Sequence, residues 1–185
     1  MTAVSAFDNL SRMYARPGFL LRRAHQISAA VFEDECRSVG LTPAQFGVLS
    51  VLSANPGIDQ STVSRALGFD KVTVLRVLRG LETRGLIMRA PASLNRRNLS
   101  ISLSTAGLDL IKQAQEPTER AYNRMMGPLS QAQQTQLIDL LQLLTSGLED
   151  QARASFVPLI PLGPIEPLEP EANDLPSAVP PPEKA

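Results

Sequence analysis

The residues with the clearest chemical potential are basic side chains gathered in one stretch of the chain. Between Ser61 and Ser100 the sequence holds eight bases and two acids, although the 185-residue chain as a whole has no net charge. The bases are Arg65, Lys71, Arg76, Arg79, Arg84, Arg89, Arg96 and Arg97. Guanidinium and ammonium groups pair with phosphate, so this concentration of positive charge predicts a nucleic-acid-binding surface.

The residues around these bases predict a helix, a tight turn and a second helix. Asp59 can cap a short helix ending near Ala66, because its carboxylate can accept the free N–H groups of a first turn. Gly68 permits the turn, and Asp70 can cap a second helix over residues 71–84. Such an arrangement is typical of a helix-turn-helix.

The second helix has one apolar and one polar face. Val74, Leu78 and Leu81 recur at i, i+4 and i+7, which predicts a buried stripe. We expect four polar side chains to face outward: Lys71, Thr73, Arg76 and Arg79.

A β-hairpin with a basic tip should follow the second helix. Residues 86–89 form the first expected strand, and in the second Leu99, Ile101 and Leu103 alternate with polar residues. The loop between them carries Arg96 and Arg97 and no acid. The predicted fold is mainly α with a small β-hairpin wing, a winged helix-turn-helix lobe joined to long dimerisation helices.

This order of elements assigns each candidate residue a place on duplex DNA. Candidates for the major groove are Lys71, Val72, Thr73, Leu75 and Arg76, where Arg76 can pair with guanine and the two apolar side chains can touch thymine methyls. Candidates for the DNA backbone are Ser61, Thr62 and Arg65. Candidates for phosphate or the minor groove are Arg96 and Arg97. The alternative is a helical domain with a solvated basic face, which the ordered combination of cap, turn, helix and basic hairpin disfavours.

The flanking segments predict a dimer and a tail. Residues 18–39 form a long amphipathic helix whose apolar stripe is wider than one neighbour needs. A final helix, capped at Ser130, carries Leu137, Leu140, Leu141 and Leu144. We expect a single domain over 18–156, an N-terminal arm over 1–17, and a disordered tail over 157–185. The tail holds nine of the 15 prolines and five acids against one lysine.

Composition argues against several classes of protein. The chain has no apolar run of 18 residues and no charged start followed by an apolar core, so we expect neither a membrane span nor a secretory signal. One cysteine and one histidine make a disulfide framework or a zinc site unexpected and fit a reducing cytoplasm. No nucleophile–base pattern or phosphate-binding glycine loop is present, so we predict no enzyme and no cofactor.

Two stretches resemble the MarR family of winged-helix transcription factors. DKVTVLRVLRGLETRGLIMR is similar to that family's recognition helix and following strand, and NRRNLSISLSTAG is similar to its wing. Asn95 stands where the family commonly has Asp, whereas Arg97 matches the wing arginine. The resemblance, which spans roughly Gly18 to Gly147, implies a homodimer that binds a pseudo-palindromic operator.

The resemblance also implies a small aromatic acid as effector. Such proteins commonly bind aromatic acids between the dimer helices and the DNA-binding lobe. The first long helix, similar to that of repressors of nicotinate and aromatic-acid degradation, offers Arg22, Arg23, His25 and Gln26. An arginine can pair with a carboxylate and His25 can hydrogen-bond a ring substituent, so 6-hydroxynicotinate is a candidate. The alternatives are a structural role for His25, and a DNA-binding regulator that responds to oxidation of Cys36 or to no ligand.

Overall fold

The computed structural model describes residues 6–91 and 99–160, with the backbone only for residues 6–8. These ranges form eight α-helices: α1 (Ala6–Tyr14), α2 (Pro17–Glu35), α3 (Pro43–Ala54), α4 (Gln60–Leu67), α5 (Lys71–Thr83), α6 (Thr105–Gln113), α7 (Gln115–Met126) and α8 (Gln131–Gly147). Two strands pair in them, β1 (Ile87–Pro91) and β2 (Leu99–Leu103). None of the helices so described is long and apolar enough to cross a membrane.

The helices of the lobe predicted to bind DNA begin at short polar caps. Thr42 and Gln45 form a reciprocal capping box at α3, because each side chain bonds the backbone N–H of the other residue. Ser104 opens α6 by accepting the Gly107 N–H at 3.1 Å. Each of these caps satisfies backbone donors that the first helical turn leaves free.

The core of this lobe lies between α3, α4, α5 and the hairpin. Its fully buried side chains include Leu49, Leu52, Val63, Val74, Leu78, Leu81 and Ile101. The apolar stripe predicted on the second helix is therefore confirmed. Burial of these aliphatic side chains fixes which face of α5 remains available to solvent.

The hairpin pairs in antiparallel register, with Ile87 opposite Leu103 and Pro91 opposite Leu99. Ile101 and Leu103 are buried as their alternation predicts, whereas Leu99 at the outer end is 46% exposed. Ile58 adds a bridge to this sheet, since its carbonyl accepts the Ile101 N–H at 2.9 Å. The hairpin is thereby fastened to the segment that leads into α4.

A second layer is formed by α2 and α7, which carry a cluster of ion pairs. The carboxylate of Glu35 contacts Arg120 at 3.2 Å and Arg124 at 3.0 Å. Arg124 also reaches Asp34 at 2.7 Å, and hydrogen bonding and charge from Arg124 lower the pKa of Asp34. These contacts hold the helix before the DNA-binding lobe against the helix that follows it.

The leucines of α8 lie at the surface of a single chain. No α8 residue is buried, and Leu140 and Leu143 are 55% and 70% exposed. Leu20 and Ile27 of α2 are also about half exposed. The wide apolar stripe predicted for the first long helix is therefore not covered within one described chain.

Three boundaries differ from or refine the sequence prediction. Residues 6–14 of the expected N-terminal arm form a helix, in which Leu10, Met13 and Tyr14 have helical spacing and exposed side chains. The first long helix ends at Glu35 and continues as a 3₁₀ turn rather than as an α-helix to residue 39. The helical segment after the hairpin divides at Ala114 into α6 and α7, close to Pro117, whose ring removes one backbone donor.

Candidate nucleic-acid interface

Two capped helices and one glycine build the interface. The Asp59 carboxylate accepts the Thr62 N–H at 2.8 Å and begins α4, which ends at Gly68 with φ of +60°. Asp70 then begins α5 by accepting the N–H groups of Val72 and Thr73, both at 2.9 Å. The predicted helix-turn-helix is confirmed, with Gly68 supplying the left-handed conformation that the turn needs.

Hydrogen bonding also sets the ionisation of both caps. The backbone N–H of Thr62 lowers the pKa of Asp59, and the backbone N–H of Thr73 lowers the pKa of Asp70. Both carboxylates are therefore anionic acceptors at neutral pH and are already committed to backbone donors.

The outer face of α5 is basic and open. Lys71, Arg76 and Arg79 are exposed, and Val72 is 74% exposed. In the described ranges none of these three cations forms an ion pair. Their charge is therefore available to an external anion.

Two of the residues predicted for the major groove are less available than expected. Thr73 is half-buried, and its hydroxyl donates to the Asp70 carboxylate at 2.7 Å. Leu75 is half-buried as well. Of the five candidates for the major groove, Lys71, Val72 and Arg76 therefore remain accessible.

Two other bases of the stretch have structural partners. Arg84 donates to the Gly40 carbonyl at 2.9 Å. Arg89 Nε lies 3.1 Å from the Glu82 carboxylate as an ion pair, although without hydrogen-bond geometry. The eight bases counted in the sequence therefore do not contribute equally to the interface.

The first helix of the pair adds polar groups beside α5. Ser61 and Arg65 are exposed, while Thr62 is half-buried. Ser61, Arg65, Lys71 and Val72 line one cleft of about 790 Å³. The structure thus brings the predicted backbone contacts of α4 together with the N-terminal end of α5.

The other wall of this cleft comes from the C-terminal segment, which the sequence did not predict there. Arg153, Ala154 and Ser155 line the cleft opposite α4 and α5. Val157 donates its N–H to the Arg65 carbonyl at 2.9 Å. The available signal was Phe156 and Val157, two apolar residues at the boundary between the predicted domain and the proline-rich tail.

The tip of the hairpin lies outside the described residues. Asn95, Arg96 and Arg97 belong to it, so their predicted contacts with phosphate or the minor groove stay predictions. The described base of the hairpin, from Ile87 to Leu103, does start beside the end of α5.

The four candidate effector residues share an exposed surface of α2. Arg22 and Arg23 each donate from Nη1 to the Gln26 side-chain oxygen at 3.2 Å, and His25 is exposed beside them. The Arg22 guanidinium also lies 5.0 Å from the centroid of the Phe19 ring. Gln26 thus holds two guanidinium groups together, but their role toward a ligand stays a prediction.

Cys36 lies in the interior of the chain. Its side chain is fully buried, and burial raises the pKa of its thiol. Since oxidants attack accessible thiolates, this environment disfavours the redox-responsive alternative.

The comparisons with known proteins agree with this geometry. Residues 39–97 match the model of the MarR family. A Thauera aromatica protein described as a transcriptional regulator of the hcr operon is 32% identical over 131 residues, which covers 69% of this chain and 77% of that protein.

Two solved structures are similar to this one. Bordetella bronchiseptica BpsR, whose DNA binding is regulated by 6-hydroxynicotinic acid, superposes with a TM-score of 0.68 at 28% identity, covering 71% of this chain and 94% of BpsR. The Rhodococcus jostii repressor CouR, bound to a 23-mer DNA duplex, gives a TM-score of 0.68 at 28% identity. The match covers 77% of this chain and 99% of CouR. These relatives are transcriptional regulators rather than enzymes.

Proposed function

Because the chain belongs to the MarR family of DNA-binding transcriptional regulators, we propose that it is a homodimeric repressor released from a pseudo-palindromic operator by a small aromatic carboxylate. The observation that carries the proposal is the open basic face of α5 beside Arg65. A helix with such a face fits the major groove, and cations on its flanks fit the phosphates.

The uncovered leucines of α8 support the homodimer. A lone chain would expose a contiguous apolar surface formed by Leu137, Leu140, Leu141, Leu143 and Leu144. Surfaces of this kind are normally buried in an interface. A two-fold pair would also present two recognition helices to half-sites about 34–36 Å apart.

Substitution of this surface tests the dimer. The double variant Leu140→Lys/Leu143→Lys should be monomeric by light scattering and should lose operator binding, since each monomer reaches one half-site only. Gln131→Lys adds a charge at an exposed position on the other side of the same helix and serves as the control. A monomeric wild-type protein at micromolar concentration would refute this part of the proposal.

The paired arginines of α2 support a carboxylate effector. Arg22 and Arg23 are already oriented toward one point by Gln26, and guanidinium groups bind carboxylates through paired hydrogen bonds. His25 offers a further donor or acceptor for a ring hydroxyl. The regulation of BpsR by 6-hydroxynicotinic acid makes that compound the first effector to test.

A mobility-shift assay on the DNA upstream of the gene tests both halves of the function. We expect wild-type protein to bind this DNA and 6-hydroxynicotinate, or another aromatic acid from a thermal-shift screen, to release it. Arg22→Gln/Arg23→Gln should keep DNA binding and lose the release, whereas Arg12→Gln on α1 should behave as wild type. If no aromatic acid weakens DNA binding, the effector proposal is wrong while the DNA-binding function stands.

A further inference from the structure

The segment from Glu149 to Val157 follows α8 and returns to the helix-turn-helix. Its anchor is the Val157 N–H, which donates to the Arg65 carbonyl at 2.9 Å. Phe156 packs beside the turn, since a Cβ placed on Gly68 would lie 3.7 Å from the Phe156 Cβ. The segment is therefore held against the end of α4 by one backbone hydrogen bond and one aromatic side chain.

This anchor fixes where the preceding residues lie. Arg153, Ala154 and Ser155 line the same cleft as Ser61, Arg65 and Lys71. Arg153 is exposed, and it has no ion pair with any residue that the structure describes. Three cations from three separate elements thus border one cleft at the start of the recognition helix.

Two carboxylates near this cleft accept hydrogen bonds from backbone N–H groups of the protein itself. Asp70 accepts hydrogen bonds from α5, and Glu149 accepts the Phe156 N–H at 2.7 Å. Of the segment's own charged side chains, Arg153 is the one that lines the cleft. A segment that masked the DNA-binding face would be expected to present acids there, whereas this one presents a base.

We propose that Arg153 is a DNA-backbone contact, placed by the docked C-terminal segment next to Arg65 and Lys71. The inference rests on the DNA-binding function proposed above and extends the interface beyond helix and wing. The partner it recognises is a phosphate of the duplex, so its contribution is independent of base sequence.

Salt-dependent binding separates this contact from a merely structural role. Each phosphate contact adds about 0.9 to the slope of log affinity against log salt, so Arg153→Ala should reduce the slope of a dimer by about 1.8. The affinity ratio of wild type to variant should then fall about twelvefold between 50 and 200 mM salt. The loss should be the same on the upstream DNA and on a random-sequence duplex of equal length.

Four further proteins complete the experiment. Arg153→Lys should retain the slope, because a lysine also releases a counterion. Lys112→Ala removes the same charge from an exposed position of α6 and should leave the slope unchanged. Phe156→Ala should detach the segment from α4 and lower the salt slope as Arg153→Ala does. The double variant Arg153→Ala/Phe156→Ala should bind DNA no more weakly than either single variant.

Each outcome has a separate meaning. If wild-type protein binds DNA and Arg153→Ala has the same affinity and slope, the inference is wrong and the proposed function is untouched. If Phe156→Ala binds more tightly than wild type, the segment masks the interface instead of extending it. Absence of DNA binding by the wild-type protein at low salt would overturn the function and this inference together.

Discussion

Gly107 is the position where the smallest side-chain addition should do the most damage. It is buried in the first turn of α6, where a Cβ would overlap the Leu86 carbonyl oxygen and lie 3.1 Å from its carbon. That oxygen also accepts the Ser104 N–H at 3.0 Å, and the Leu86 N–H is bonded to the Leu81 carbonyl at 3.0 Å. The backbone facing Gly107 is therefore held on both sides and cannot simply retreat.

The cost of Gly107→Ala can be estimated from these contacts. Relieving the overlap requires the hairpin and α6 to separate by about 1 Å, an overpacking that costs about 1–3 kcal/mol or more. Weakening the Ser104–Leu86 hydrogen bond adds about 1 kcal/mol. The higher helix propensity of alanine returns about 1 kcal/mol, so the free energy of unfolding should fall by about 1–3 kcal/mol or more.

Urea unfolding followed by circular dichroism measures this loss at a fixed protein concentration. Gly80→Ala is the matched control, because a Cβ at that position of α5 would lie 4.0 Å from the nearest atom, the Gln45 amide nitrogen. It should be neutral or more stable by up to about 1 kcal/mol. If Gly107→Ala were as stable as wild type, the close packing of α6 on the hairpin would be refuted.

Three other outcomes follow from single contacts. Hydrogen bonds lower the pKa values of Asp59 and Asp70 in the folded state, so their stabilisation is present above the unfolded pKa and is lost as pH falls through the folded values. Urea midpoints should therefore decline on acidification, and less steeply in Asp59→Asn, whose amide does not titrate; equal slopes would contradict this. Native Cys36 should react with iodoacetamide far more slowly than urea-unfolded protein, and equal rates would show that it is accessible. Arg84→Ala should lower the free energy of unfolding by about 1 kcal/mol, because it removes the hydrogen bond to the Gly40 carbonyl. The control Arg79→Ala should change it by less than about 0.5 kcal/mol. Equal effects of the two substitutions would show that the Arg84 hydrogen bond does not stabilise the fold.

Local chemistry made much of this fold predictable. The caps at Thr42, Asp59 and Asp70, and the left-handed Gly68, act within a few residues of themselves and are visible in the sequence. The buried stripe of α5 follows from helical periodicity alone. These signals were sufficient to place the helix-turn-helix and its basic face.

Contacts between distant parts of the chain were not predictable in this way. Arg84 and Arg89 look like further DNA contacts in the sequence, yet the Gly40 carbonyl and Glu82 occupy them in the folded chain. The docking of Val157 on α4 joins residues about ninety positions apart and has no periodic signature. Which bases stay free is a property of tertiary structure.

The Arg84 hydrogen bond connects the C-terminal end of α5 to the segment that follows α2. Arg84 lies at the C-terminal end of α5, the helix proposed to contact DNA, and Gly40 lies two residues after the 3₁₀ turn that follows α2. A rotation of α2 that displaces Gly40 must either break this bond or pull the end of α5 along with it. An effector bound at the proposed α2 site would then be expected to change the orientation of α5.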